Sequence, residues 1–128
     1  MTATTRWLDD AQTILGHEFV GKWSTEEFEA EVFGATPQIV NRGEKITVVI
    51  NVLQYTMPTR DVNIFALISR FNNKRPANIQ MIVFVVQDPL AFSLLSVARR
   101  LFAKADIIFA ARSMESAMQM IAQHTKAN

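Results

Sequence analysis

The chain has 128 residues, 49% hydrophobic and 20% charged, with 13 Lys+Arg against 12 Asp+Glu and no cysteine. That describes one globular domain with a real core, and a pI near 8.1 falls short of a strongly basic nucleic-acid binder. The missing cysteines exclude disulfides, thiolate nucleophiles and Cys-based metal sites.

No apolar run approaches the ~18 residues of a membrane helix, and Met1 to Trp7 lacks the apolar stretch of a signal peptide, so a cytoplasmic location is expected. Charge is unevenly placed. Residues 1–73 carry 6 basic and 9 acidic side chains, net −3, and residues 74–128 carry 7 and 3, net +4. Solvated faces that differ by chance explain this, and so does a dipolar domain that docks on a charged partner.

Arg6 to Leu8 and Thr13 to Val20 read as two strands around the acidic turn Asp9-Asp10-Ala11-Gln12, an antiparallel hairpin. Leu15, His17, Phe19 and Trp23 share one parity. Ser24 with Glu27 forms a capping box, and Trp23 with Phe28 a hydrophobic staple, at the start of the first helix. Its inward stripe is Phe28, Val32 and Ala35. Pro37 either restarts the helix at a first-turn position or kinks it, and Gly43 closes the segment.

Lys45 to Leu53 alternates too little for a half-exposed strand, so it is central and buried on both faces. The second helix runs from about Thr59 to Phe71, with Ile64, Phe65, Ile68 and Phe71 inward. Asn72-Asn73 stop it before Pro76. Ile79 to Val86 is the next buried strand. Asp88-Pro89 supplies an N-cap acid and an N1 proline for the third helix. That helix is apolar around much of its girth, through Leu90, Phe92, Leu94, Leu95, Val97, Leu101 and Phe102. Extra burial and an exposed apolar contact surface both account for it. Ile107 to Ala111 is the last strand. Ser113 caps the last helix, whose stripe is Met114, Ala117, Met118, Ile121 and Ala122, and the chain frays from Thr125. The order β-β-α-β-α-β-α-β-α predicts a single α/β domain over residues 1–128. It has a mixed five-stranded sheet with an N-terminal antiparallel hairpin, right-handed βαβ units and four helices.

This layout resembles the STAS domain, the SpoIIAA-like fold of bacterial anti-sigma-factor antagonists. The resemblance covers the whole chain. Local likenesses lie in Trp7-Leu8-Asp9-Asp10 to Gly21-Lys22-Trp23 with Glu27-Phe28, and in Val48 to Leu53, where Asn51 stands near the position of a usual Asp. Two more are Val85-Val86-Gln87-Asp88-Pro89-Leu90 with Ala98-Arg99-Arg100-Leu101-Phe102, and Ser113-Met114-Glu115-Ser116-Ala117. The antagonists carry a phosphorylated Asp-Ser pair followed by Gly at the start of the second helix. Here that place reads Thr59-Arg60-Asp61-Val62, with neither the serine nor the glycine. Thr59 serves most simply as an N-cap, and a phosphate there would sit at a helix N-terminus beside Arg60.

Candidate chemistry is sparse. His17 on an apolar strand face reads as packed and hydrogen-bonded. His124, near the end of the last helix, reads as solvent-facing, and the two histidines lack metal-ligand spacing. Ligands of open α/β sheets sit beyond the C-terminal strand ends. That rim comprises Tyr55, Gln87, Asp88, Arg112 and Ser113 as ligand candidates. No glycine-rich loop is present to hold a nucleotide phosphate there. Arg99, Arg100 and Lys104 make a basic cluster on the third helix. The resemblance and the cluster together imply a non-enzymatic bacterial regulatory module without a cofactor, acting on a protein partner. A homodimer is plausible, and no nucleic acid or membrane span is involved. Its expected surface is Thr56, Thr59, Arg60, Asp61, Phe92, Arg99 and Arg100. The alternative is a small-ligand binder for a lipid or nucleotide. Catalysis would have to draw on His17, Asp61 and Asp88.

Overall fold

The structure, a computed structural model, describes residues 2–56, 64–101 and 105–126. Strand β1 (Thr2–Trp7) and strand β2 (Ile14–Lys22) form the expected hairpin, paired antiparallel from Thr2↔Val20 to Trp7↔Leu15. Asp9 builds its turn. The carboxylate accepts the backbone N–H of Thr13 at 2.9 Å and of Ile14 at 2.9 Å, and it takes the Thr13 hydroxyl as well. Partial burial raises the Asp9 carboxyl's pKa, but these hydrogen bonds outweigh it and hold the group below its ordinary value. Gln12 completes the turn at φ 57°.

Helix α1 (Thr25–Phe33) starts on the capping box read from sequence. Ser24 Oγ accepts from Glu27 N at 3.1 Å, and Glu27 Oε1 accepts from Ser24 N at 3.1 Å. Pro37 restarts the helix rather than kinking it: α2 (Thr36–Arg42) has proline in its first turn and ends on Gly43 at φ 70°, a left-handed cap. The first expected helix is therefore two. Strand β3 (Ile46–Thr56) follows, then α3 (Ile64–Lys74), β4 (Ile79–Val85), α4 (Pro89–Leu101), a 3-10 turn (Ala105–Ile107), β5 (Ile108–Ala111) and α5 (Met114–Lys126).

Two helix ends differ from the sequence reading. Helix α3 passes through Asn72 and Asn73 to Lys74, because asparagine disfavours a helix only weakly. Pro76 ends it instead, two residues after the last turn. Helix α5 continues through Thr125, whose hydroxyl donates to the Ile121 carbonyl at 2.8 Å.

The sheet order is β1-β2-β3-β4-β5, parallel from β2 onward. Each right-handed crossover steps one strand in the same direction, so α1 with α2, α3 and α4 all cover one face. Helix α5 follows the last strand and returns across the other. The core accordingly divides in two. One cluster joins Phe19, Phe28, Ile50, Ile68, Phe71, Phe84, Leu95 and Ala98. The other joins Val49, Met81, Val83, Val85, Ala117 and Ile121. Strand β3 lies in the middle, and Ile46 to Ile50 is buried on both faces.

Aromatic rings tie the first face together. Phe19 packs edge-on to Trp23 at 5.2 Å and against Phe28 at 4.6 Å, and Phe28 meets Phe71 at 6.2 Å. Beneath α5, Ala117 and Ile121 are buried and Met114 and Met118 half-buried. Ala122, expected in that stripe, is exposed.

Candidate functional site

Two regions of the molecule carry features that packing alone does not require. The first is α4 and the rim at the C-terminal ends of the strands. Asp88 Oδ1 accepts from Leu90 N at 2.9 Å, and Ser113 Oγ accepts from Ser116 N at 3.0 Å, so both act as N-caps. Gln87, Asp88 and Arg112 are exposed around them. Arg112 lies over the Phe92 ring at 5.0 Å, and Phe92 is half-buried. Arg99 lies over the Phe109 ring at 4.2 Å, and its Nε donates to the Asp106 carbonyl at 3.2 Å. Arg100 is exposed.

The girth of α4 now has its explanation. Leu95 and Ala98 are buried against the sheet, but Leu90 is 65% exposed, Val97 42% and Leu101 69%. Positions 90, 97 and 101 fall on one helical face, and α4 contains no acidic residue. The structure therefore presents an apolar stripe with a basic C-terminal end. The spacing was visible in the sequence, but its exposure depends on which helical face meets the sheet.

Thr59, Arg60, Asp61 and Lys104 lie outside the described residues, as does the Thr59–Val62 corner as a whole. Tyr55 and Thr56 are placed as strand backbone at the end of β3, opposite Gly21 and Lys22 of β2. Asn51 lies where the pairing of β2 with β3 shifts register, and its Oδ1 accepts from Leu53 N at 3.0 Å.

The second region is a cavity of about 20 Å³ between the sheet and the covering helices. Its floor is sheet residues, His17 of β2, Val48 and Ile50 of β3 and Ile82 of β4, roofed by Val32, Ile39 and Phe71. Half-buried Phe33, Thr36, Arg75 and Ile79 lie at its opening. These come from the C-terminal end of α1, the start of α2, the residue just after α3 and the start of β4, so the opening lies toward the N-terminal ends of the parallel strands. That is the end opposite the rim expected from sequence.

His17 is 1% exposed. Its Nδ1 is 2.9 Å from Thr5 Oγ1, across the hairpin in register, while Nε2 has no hydrogen-bond partner. Burial pushes the imidazole down to about 4, so the ring is neutral at pH 7. Arg75 is partly buried. Desolvation lowers its guanidinium from the ordinary value, the charge of Asp106 opposes that, and Nη1 donates to Asn72 Oδ1 at 2.9 Å. His17 is thus packed and hydrogen-bonded on one side, as its parity suggested. Sequence reasoning did not find Arg75, Thr36 or the cavity, because residues spread from His17 to Ile82 along the chain assemble it. His124, expected in solvent, is half-buried with its ring 5.5 Å from that of Phe109.

Among the described residues, no group of three His, Asp or Glu side chains converges as a metal site would require. No helix of the described residues is long and apolar enough to cross a membrane.

No family model and no curated protein matches the chain. A solved structure does. It is a protein from Shewanella loihica PV-4, described as an uncharacterised member of the DUF3478 family with a SpoIIAA-like fold. It superposes with a TM-score of 0.57 over 93% of this chain and 91% of its own, at 15% identity. At that identity the likeness is one of fold. The sequential sheet order, the leading hairpin, the three crossovers on one face and this superposition agree that the chain has a SpoIIAA-like fold.

Proposed function

We propose that this domain is a non-enzymatic regulatory module of a bacterial cytoplasm, and that it works by docking α4 on a protein partner. The observation that carries the reading is the stripe Leu90, Val97 and Leu101, held out to solvent while Leu95 and Ala98 of the same helix are buried. Exposed leucines grouped on one helix face, and ending in Arg100, suit a complementary apolar surface with an acidic edge. The reading does not require phosphorylation, consistent with Thr59-Arg60-Asp61 standing where antagonists carry Asp-Ser.

The test compares the wild type with Leu90→Glu/Leu101→Glu and with Arg100→Glu as baits in lysate of the source organism. A protein retained by wild type is identified, purified and titrated against all three. The docking reading expects both variants to keep the wild-type melting temperature. It expects about tenfold weaker binding or worse, the result of losing some 1.4 kcal/mol at a contact. It also expects weaker binding at high salt. A partner that binds all three forms equally would refute this surface.

A further inference from the structure

We propose that the partner segment seated on α4 is an amphipathic helix with an acidic first turn, lying antiparallel to α4. The inference rests on the docking surface proposed above and names what fills it. Leu90, Leu94, Val97 and Leu101 follow one another at steps of 4, 3 and 4 residues, the alternation of a coiled-coil seam. Leu94 is half-buried and the other three are exposed. A seam of this spacing leaves holes that the side chains of a second helix fill, whereas an extended segment repeats every two residues and falls out of step.

One flank of the seam is open. Ala98, one turn beyond Leu94, is buried, but Ser93 and Arg100 are exposed, one turn beyond Leu90 and Val97. Arg100 is the charge offered to an occupant there, since Arg99 lies over the Phe109 ring at 4.2 Å and donates to the Asp106 carbonyl. No acidic residue lies between Pro89 and Leu101, so a carboxylate arriving beside Arg100 meets attraction without repulsion along the helix. In an antiparallel pair the incoming N-terminus lies beside the C-terminal end of α4. The carboxylate then also stands where its own helix dipole favours it, and a parallel pair would place it where the dipole opposes it. The α4 of a second copy brings no acid along its length, and its N-cap Asp88 is committed to the Leu90 N–H at 2.9 Å. A bilayer surface calls for a broad apolar face edged by several cations rather than a narrow seam with one.

The test uses synthetic peptides of about 20 residues, long enough to form a helix, with leucines in the same 4-3-4 spacing. One carries glutamates in its first turn, one carries the same glutamates in its last turn, one has lysines in their place, and one has the acidic composition with the leucines scrambled. Fluorescence anisotropy should show the first binding about tenfold or more tightly than each of the others. Leu90→Glu/Leu101→Glu should lose at least tenfold of that binding, and Arg100→Glu should come to prefer the lysine peptide. The proposal is overturned if the four peptides bind alike, or if Arg100→Glu keeps the wild-type preference. It is overturned equally if wild type self-associates in sedimentation and Leu90→Glu/Leu101→Glu does not, which makes a second copy the occupant. The same holds if vesicles of phosphatidylglycerol capture wild type alone, which makes it a membrane. A purified partner that needs Leu90 and Leu101 but is not displaced by the acidic peptide would overturn the helical occupant and leave the docking reading standing. A partner indifferent to both leucines would overturn the two together.

Discussion

His17 shows how one buried side chain can set the acid sensitivity of the domain. In an unfolded chain its imidazole titrates near 6.5. In the fold, burial holds it at about 4. Between those values only the unfolded chain takes up the proton, so stability falls as pH drops from about 6.5 to about 4 and then levels off. The whole loss from this group is on the order of 3 kcal/mol. His17→Leu should remove that component. Urea midpoints measured between about pH 7.5 and pH 4.5 should fall less steeply in the variant than in wild type, and parallel slopes would contradict the assignment. The parity of Leu15, His17 and Phe19 already announced a packed histidine. What it could not announce was the cavity beside the residue, because α1, α2 and α3 help to line it as well as the sheet. The Ser24–Glu27 box was fully legible for the converse reason: all of its hydrogen bonds lie within four residues.

Helix α4 carries two demands on one sequence. Its core face needs Leu95 and Ala98, and its outer face spends Leu90, Val97 and Leu101 on solvent. Apolar periodicity alone cannot separate these, since both faces are oily and the helix reads as uniformly hydrophobic. The neighbours decide, and they lie on β5, the 3-10 turn before it and α3. Stability measurements should therefore split the helix. Leu95→Ala removes a buried side chain and should cost about 2–5 kcal/mol. Leu101→Ser alters an exposed one and should stay within about 0.5 kcal/mol. Urea unfolding of the two variants checks this directly, and a large cost for Leu101→Ser would mean that the stripe is covered within the chain itself. Element boundaries were legible where a strong local signal stood, as at Gly43 and Asp88-Pro89, while Pro37 left a restart and a kink both open. They were missed where the signal was weak, as at Asn72-Asn73, where backbone hydrogen bonding carries α3 one further turn to the Arg75 N–H, donated to Phe71 at 2.9 Å.

The topology as a whole was legible because strand and helix signals alternate, and because crossover handedness leaves few ways to join them. Stacking all three crossovers on one face has an energetic consequence. Four helices bury one side of the sheet, while α5 alone covers the other, and the strands form the shared wall. Side chains on opposite faces, such as Ile68 of α3 and Ile121 of α5, belong to separate clusters. Each should cost about 0.5–1.5 kcal/mol when truncated to valine. Their effects should add within about 0.5 kcal/mol in the double variant Ile68→Val/Ile121→Val, because the two sites share no side-chain contacts. A coupling well beyond that would mean that the strands transmit strain from face to face. Events at the His17 cavity would then be felt beneath α5. Strict additivity would instead leave the cavity's face and the α5 face mechanically separate.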